Sequence, residues 1–380
     1  MEDLVRKRIL RRTLGTGALS LAFLMTPTML TAASATTSTP VPDRFLVATT
    51  SFATATRGYV VGTGACADGR CPYVLTTADG GKSWEQRTLP DKHLRFRLPI
   101  HIVSVPGEST LDGATVYLTN GKWLFASHDG ATTWTRVRLI GANDTTHVGS
   151  IATTADRVYA IVGNGTLDAG RTRLLEGTLA GDELRGAPGV EVEDNAVNVD
   201  GGWNVVADNK NVAVSLGRIF VNSAYWTSHD GVTFTKADPA CTQDQVTALG
   251  DVSDSRVAAL CSYNPGMGHM FKDLKVSADD GPFEGAGSAP ELGLTEQYVS
   301  TGPGEDTITT ISGASILYRS DGKGGWEQPL FIGGGPPFAD LQYATDKVGY
   351  VVWGGPINHK ARLYKTTDGG HTWKPLASLG

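Results

Sequence analysis

The chain has 380 residues, with 33 Lys and Arg against 39 Asp and Glu, and a formal net charge of −6. This acidic balance argues against nucleic acid as a partner, because phosphate binding depends on clustered Lys and Arg. The length exceeds what one hydrophobic core usually serves, unless the chain forms a ring of repeats.

The first 35 residues have the layout of a secretory signal peptide. A basic stretch is followed by an apolar run, Leu14–Leu24, and by the small residues Ala33-Ser34-Ala35. This order of basic, apolar and A-x-A segments predicts cleavage after Ala35. An uncleaved membrane anchor is the alternative, although Pro27 leaves the apolar run short for a span. The Arg11-Arg12 pair leaves open whether export follows the general secretory or the twin-arginine route.

Cleavage defines the predicted domains. Residues 1–35 carry five basic and two acidic residues, so the mature chain has a formal charge of −9. Residues 36–43, rich in Thr and Pro, are predicted to be an extended linker. Residues 44–380 are predicted to form one domain that is secreted, without stable membrane insertion after cleavage.

The four cysteines fall into two local pairs. Cys66 and Cys71 flank a turn-forming sequence, and Cys241 and Cys261 surround one predicted strand. Four cysteines allow three pairings, and these two fit the spacing of the chain best. We therefore expect two disulfides, with four free buried thiols as the alternative. No Cys-x-x-Cys pair or His-x-x-His cluster occurs, so no metal site is predicted.

A short motif repeats along the chain. Thr77–Trp84 recurs as Ser127–Trp134 and Thr366–Trp373, and weaker copies occur at 228–234, 277–283 and 320–326. The gap of 101 residues between the second and third motif aspartates predicts a decayed copy near Thr178–Gly181. The motif residues with a predicted structural role are Asp79, Trp84, Asp129, Trp134, Asp230, Phe234, Asp279, Asp321, Trp326, Asp368 and Trp373.

The residue types of the motif predict a hairpin turn. A carboxylate accepts hydrogen bonds from turn amides, glycine supplies positive φ, and the aromatic residue opens the next strand. Each unit of about 40 to 50 residues contains four strand-like runs separated by turn signals, which is the content of one propeller blade. The sequence therefore predicts an all-β fold, a seven-bladed β-propeller of four-stranded antiparallel blades.

Over residues 44–380 these units resemble Asp-box, or bacterial neuraminidase, repeats. Their cadence is similar to that of photosystem-assembly-factor propellers. The resemblance implies that the boxes lie at the periphery, where their carboxylates hold turns; His128 and His229, inside two boxes, are expected to be exposed turn residues. Asp boxes occur in sialidases, other glycosidases, receptors and scaffolds, so the motif specifies a fold and no chemistry.

One segment suggests an enzyme. Phe96-Arg97-Leu98-Pro99 is similar to a sialidase motif whose arginine grips the substrate carboxylate, a role this resemblance gives to Arg97. The segment follows Asp79, whereas the sialidase motif precedes the first box, and no Tyr–Glu nucleophile pair is placed. A sialidase-like glycoside hydrolase is therefore the alternative function, and no catalytic residue is assigned.

The preferred hypothesis is a secreted, non-catalytic binding or assembly propeller. It is predicted to be a monomer without cofactor that recognises a protein or a glycan through its loops, since long loops on a rigid scaffold usually carry binding. A mainly structural envelope protein is a third hypothesis. The candidate ligand-binding residues, each of which also fits a solvated loop, are Arg97, His147, Asp194, Asp244, Glu296, Asp340, Tyr263, His269, Trp353 and His359.

Overall fold

A computed structural model describes residues 40–379 of the chain, with internal gaps. The predicted signal peptide and most of the predicted linker lie outside the described residues. Ser38–Gly380 is one compact unit. The gaps are 92–93, 95–99, 109, 167–168, 195–202, 219–220, 242–245, 254–255, 267–268, 289, 291–298, 302–307, 313–314, 322, 334 and 356–358.

The described residues form seven sheets, each built from strands that are close in sequence. Their short, β-branched and aromatic-rich runs alternate with glycine-containing turns, as antiparallel meanders require. In chain order the strands are β1 (Leu46–Phe52), β2 (Gly58–Cys66), β3 (Gly69–Thr77) and β4 (Glu85–Arg87); β5 (His101–Ser104), β6 (Val116–Thr119), β7 (Leu124–Ser127) and β8 (Thr135–Arg136); β9 (Arg138–Leu139), β10 (His147–Thr153), β11 (Arg157–Thr166), β12 (Ala169–Thr178) and β13 (Glu183–Asp194); β14 (Trp203–Asp208), β15 (Asn211–Arg218), β16 (Val221–Ser228) and β17 (Thr235–Ala237); β18 (Val246–Ser253), β19 (Arg256–Gly266), β20 (His269–Ala278) and β21 (Glu284–Ser288); β22 (Val299–Thr301), β23 (Ile308–Ser312), β24 (Ile316–Ser320) and β25 (Trp326–Phe331); β26 (Phe338–Tyr343), β27 (Gly349–Gly355), β28 (Lys360–Thr366) and β29 (Lys374–Pro375).

The fold is a β-propeller with four-stranded antiparallel blades, as predicted. The first strands of the sheets contact one another in the order β1, β5, β10, β14, β18, β22, β26 and back to β1. The third sheet differs from the expected four strands, because β9 pairs in parallel with its outermost strand, β13. The reason is that the chain leaving β8 continues along that edge, where the Arg138 amide bonds the Asp182 carbonyl at 2.8 Å.

The hydrophobic core lies between adjacent sheets. A buried tyrosine near the start of the second strand recurs in four sheets, at Tyr59, Tyr117, Tyr159 and Tyr350, each 1% exposed or less. Three of these hydroxyls donate to a turn carbonyl of the next sheet. The acceptors are Leu179 for Tyr117 (3.2 Å), Gly231 for Tyr159 (2.8 Å) and Ala55 for Tyr350 (3.1 Å). The repeated tyrosine therefore joins neighbouring sheets by packing and by a hydrogen bond.

The first and last sheets meet through side chains. Phe52 of β1 stacks on Tyr350 of β27, with ring centroids 3.5 Å apart. A 3₁₀ turn, Ala377–Leu379, follows the last strand, and the Trp84 indole donates to the Ser378 hydroxyl at 3.0 Å. Leu379 is 4% exposed in the same core cluster as Trp84. The end of the described chain thus fastens the seventh sheet to the first.

Within the described part of the chain, no helix has the length and apolar character needed to cross a membrane.

Candidate functional site

The turns between third and fourth strands are built by the motif aspartates. Asp79 Oδ1 accepts from the amides of Lys82 and Ser83, both at 2.9 Å, and Oδ2 accepts from the Ser83 hydroxyl at 2.5 Å. Burial raises the pKa of Asp79, but hydrogen bonds, the strongest from Ser83, outweigh it and lower the pKa to about 2. The carboxylate is therefore ionised and fully engaged within its own turn.

Four further motif aspartates act in a similar way. Asp129 and Asp368 bond the hydroxyl and the amide of the threonine four residues later. Asp230 and Asp321 accept two turn amides each. Glycine is required after Asp129, because Gly130 has φ 69° and a Cβ there would lie 2.0 Å from the Leu111 carbonyl oxygen.

Two turns depart from this pattern. At the predicted decayed copy, β12 ends at Thr178 and the chain turns without a carboxylate, with the Gly181 amide bonding the Thr178 carbonyl at 3.1 Å. At the fifth sheet the Ser277 hydroxyl donates to the Gly281 carbonyl at 2.7 Å, and both Asp279 and Asp280 have positive φ. The predicted structural role of Asp279 therefore differs from that of Asp79.

The two box histidines, expected to be exposed turn residues, also contact the next sheet. His128 Nε2 lies 3.3 Å from Asp182 Oδ1. His229 is held on both sides, at 2.8 Å from Asn211 Oδ1 and 2.7 Å from Asp280 Oδ2. The sequence places both histidines in turns, but it does not predict which residues of the following sheet they contact.

The antiparallel topology distinguishes the two ends of the propeller. The boxes lie with the loops between first and second strands, as the Gly80–Thr56 backbone bond of 2.8 Å shows. We call this the box end. The turns between second and third strands and the connectors to the next sheet lie at the opposite end, which we call the loop face. Among the described residues, the backbone of Asp194, Tyr263, His269 and His359 lies on or near that face.

Several of the predicted binding residues are not described in side-chain detail. Arg97, Asp244 and Glu296 lie outside the described residues. The backbone places Asp194 at the end of β13, Tyr263 in β19 and His269 at the start of β20. His359 is exposed, with φ 54°, at the turn before β28.

Asp340 lies in the seam between the seventh and first sheets. Its Oδ2 accepts from the Thr50 amide at 2.8 Å and the Thr49 hydroxyl at 3.1 Å. Burial raises the pKa of this carboxyl to about 6, although these hydrogen bonds lower it. Ser150 occupies the equivalent register position in the third sheet and accepts from the Val205 amide of the fourth at 3.3 Å. At both seams, a polar side chain thus accepts a hydrogen bond from a backbone amide in the first strand of the following sheet.

Trp353 also lies between sheets. Its indole nitrogen donates to the Ser315 hydroxyl of the sixth sheet at 3.2 Å, and its ring packs in the cluster that contains Phe338 and Leu341. A Cβ on Gly335 would lie 2.5 Å from this ring. The contacts of Trp353 therefore account for an aromatic residue here by packing.

Sequence reasoning missed an aromatic and cationic cluster on the loop face. Trp123, in the turn between β6 and β7, has the Arg136 guanidinium 3.3 Å and the Lys122 ammonium 5.1 Å from its ring centroid. The Val148 amide bonds the Gly121 carbonyl of this turn at 2.9 Å, which brings His147 beside it. His147 Nδ1 is buried and has no hydrogen-bond partner among the described residues. The turn between β6 and β7 is short, so loop length in the sequence does not mark it as a binding site.

The described residues test the cysteine prediction. Cys66–Cys71 and Cys241–Cys261 are bonded, as predicted. Within the described ranges, no group of three or more His, Cys, Asp and Glu side chains could hold a metal ion.

Comparison with known proteins identifies the fold. No protein-family model and no curated protein sequence matches the chain. It is similar to the solved structure of YCF48 bound to D1 peptide, with a TM-score of 0.52 and 14% identity over 87% of this chain and 96% of that one. A puromycin-hydrolyzing peptidase of Mycobacterium tuberculosis gives a TM-score of 0.53 and 11% identity, over 89% of this chain and 55% of that one.

The WD40 β-propeller domain of Doa1 gives a TM-score of 0.50 and 10% identity, over 88% of this chain and 99% of that domain. At such low sequence identity, the structural similarity shows the fold and gives no information about activity. The chain is a β-propeller.

Proposed function

We propose that this chain is an extracytoplasmic, non-catalytic propeller that binds a protein segment through its loop face. The chain begins with a signal peptide, 1–35, which is cleaved. The mature protein is a monomer in which a linker, 36–43, precedes a seven-bladed ring of Asp-box repeats, 44–380. The cyclic contacts of the seven innermost strands and the shared geometry of Asp79, Asp129 and Asp368 support this architecture. Two disulfides favour an oxidising compartment.

The observation that carries the proposal is the cluster of Trp123, Lys122, Arg136 and His147. Aromatic and arginine side chains are the residues that most often anchor protein interfaces. Lys122 and Arg136 are exposed, so their charges are available to a partner. Two cations beside one ring favour a segment that carries carboxylates, since complementary charge speeds association and selects the partner.

Two further observations agree with binding as opposed to hydrolysis. Five box carboxylates, those of Asp79, Asp129, Asp230, Asp321 and Asp368, accept hydrogen bonds within their turns, and the Asp340 carboxylate is engaged in a seam. The similar propeller YCF48 is bound to a peptide in its solved structure, so this fold accommodates a peptide.

The test is binding of the purified full chain to an array of overlapping peptides from the exported proteins of its source organism. The variant Lys122→Glu/Arg136→Glu should weaken binding by roughly tenfold or more, because two favourable charge pairs become repulsive. The control is Lys82→Glu, an exposed charge reversal at the box end, which should bind as the wild type does.

Two kinds of result would contradict the proposal. One is peptide binding that is insensitive to the Lys122→Glu/Arg136→Glu variant, or an array to which nothing binds. The other is hydrolysis of a fluorogenic sialoside that is lost in Arg97→Ala, which would establish the alternative, a sialidase-like glycoside hydrolase.

A further inference from the structure

A cleft opens at the box end between the fourth and fifth sheets, on the opposite side from the loop face. Its volume is about 460 Å³, within the range of small-molecule sites in proteins. One wall comes from β15, β16 and β17, and the other from the start of β19 and the turn between β20 and β21.

The fifth box, like the fourth (Asp230–Phe234), is one residue shorter than the tryptophan boxes and ends in phenylalanine. Asp79 and Trp84 are five residues apart, whereas Asp279 and Phe283 are four apart. In the first two sheets the box tryptophan extends its indole nitrogen to the adjoining chain, Trp84 to Ser378 and Trp134 to the Thr88 carbonyl. Phe283 has a smaller ring without a donor, which packs edge-on against Tyr225 at 5.3 Å. Phe283 therefore leaves open some of the space that an indole fills at the first two boxes.

One wall of the cleft carries a buried polar group that lacks a partner. Tyr225 is 3% exposed, and its hydroxyl has no hydrogen-bond partner among the described residues. Burial raises the pKa of Tyr225 and the Asp280 carboxylate raises it further, so the hydroxyl stays protonated. An unpaired buried hydroxyl costs free energy that a bound acceptor would recover.

The rest of the lining combines polar groups of both signs with an aromatic ring. Asp238 and Thr235 are exposed at the outer wall, and Arg256 lies on the facing wall. His229 is fixed in orientation by Asn211 and Asp280. Because the Asp238 and Asp280 carboxylates accompany the Arg256 guanidinium, the lining presents no positive field that would select a phosphate or another strong anion.

We propose that this cleft binds an uncharged saccharide of one to three rings. A pyranose offers an apolar C–H face that packs on an aromatic ring such as Phe283, and hydroxyls that both donate and accept. The Tyr225 hydroxyl donates to one sugar oxygen, and the Asp238 carboxylate and the Thr235 hydroxyl accept from others.

The test is saturation-transfer NMR and titration calorimetry of the full chain with cellotriose, chitotriose, maltotriose and mannotriose. At least one should bind, and Tyr225→Phe and Phe283→Ala should each weaken its binding by roughly tenfold, the effect of one hydrogen bond or one packed ring. Phe331→Ala removes a 60% exposed aromatic side chain outside the cleft and is the matched control, which should bind normally.

Asp238→Asn changes an exposed residue and should also weaken binding. It keeps the proposal testable if the aromatic variants fail to fold. Absence of binding to all four trisaccharides at about 10 mM, a concentration that saturates even a Kd near 1 mM, would overturn the proposal. So would binding that is equal in the wild type, Tyr225→Phe and Asp238→Asn. None of these outcomes depends on the loop face, so the peptide-binding proposal is judged separately.

Discussion

At the scale of single residues, the motif aspartates work as fixed acceptors for turn amides. A carboxylate that accepts several hydrogen bonds is held in its ionised form, which accounts for the lowered pKa of Asp79 and Asp368. The Asp79 and Asp368 carboxylates therefore maintain turn geometry.

Asp79→Ala should lower the free energy of unfolding by roughly 1 to 3 kcal/mol, because two turn amides and two hydroxyls lose a charged acceptor. Urea denaturation measures the change. The control is Asp279→Asn, which keeps tolerance of positive φ where the turn uses a Ser277–Gly281 bond instead, and it should change stability little. An equally large loss in both variants would show that the Asp79 carboxylate has no special role.

The repeated tyrosines allow a second matched comparison. Tyr159→Phe removes the bond to the Gly231 carbonyl and should cost about 0.5 to 1.5 kcal/mol. Tyr59 occupies the equivalent position but makes no such bond to the next sheet, so Tyr59→Phe should cost less. Thermal and urea unfolding of the two variants test this difference, and equal losses would mean that the bond to the Gly231 carbonyl adds no stability.

At the scale of elements, each sheet is held by its own hairpins and two sheets carry a covalent cross-link. Cys66–Cys71 joins β2 to β3 across a hairpin with a separation of 5 residues. Cys241–Cys261 ties the connector that enters the fifth sheet to β19, with a separation of 20, and both its cysteines are buried. The second disulfide restricts a longer loop in the unfolded chain.

Replacing Cys241 and Cys261 by alanine should therefore destabilise the protein more than replacing Cys66 and Cys71. The chain-entropy estimate for the longer loop is about 3 kcal/mol. Mild reduction should open the partly exposed Cys66–Cys71 bond first. Non-reducing peptide mapping with timed alkylation follows both bonds, and earlier loss of Cys241–Cys261 would contradict the prediction.

At the scale of the whole molecule, the ring is closed without a shared strand among the described residues. The first and seventh sheets are joined by the Phe52–Tyr350 stack, by the Lys365 ammonium bonded to the Gly80 carbonyl at 2.9 Å, and by the contacts of Asp340. The stability of the ring therefore depends on side chains that are about 290 residues apart in sequence.

The pH dependence of this seam follows from Asp340. Its pKa is about 6 in the folded protein and 3.8 when unperturbed, so the folded state binds the proton more tightly. Stability should therefore rise as the pH falls from about 7 towards 4. Asp340→Asn keeps an acceptor for the Thr50 amide without the charge, and it should lose this gain and be at least as stable as the wild type at pH 7.

Urea unfolding of both proteins at several pH values isolates the effect of Asp340, since the other carboxylates are common to both. Identical pH profiles would show that Asp340 is not a buried acid. Destabilisation of Asp340→Asn at pH 7 would show instead that the charge itself holds the seam.

Much of the fold was predictable because its signals are local. The Asp79, Asp129 and Asp368 turns, the four-stranded blades and both disulfides depend on residues close in sequence, and the pattern of hydroxyl, carboxylate, glycine and aromatic side chains encodes them directly. The turn at Thr178–Gly181 was found from spacing alone. The parallel strand β9 was not predictable. Its two residues follow β8 of the second sheet in sequence, but they pair with β13 at the edge of the third sheet.

The sequence by itself determined the repeat, its turns and the end of the propeller at which each loop emerges, because antiparallel strands of regular length alternate direction. Only the tertiary structure decided which side chains meet across the seams. It placed Asp340 and Trp353 between sheets, set Trp123 and Arg136 beside His147, and left a cleft next to Tyr225. Such contacts depend on how one sheet packs against the next, and small changes in ring size or turn length, as at Phe283, redirect them without altering the repeat.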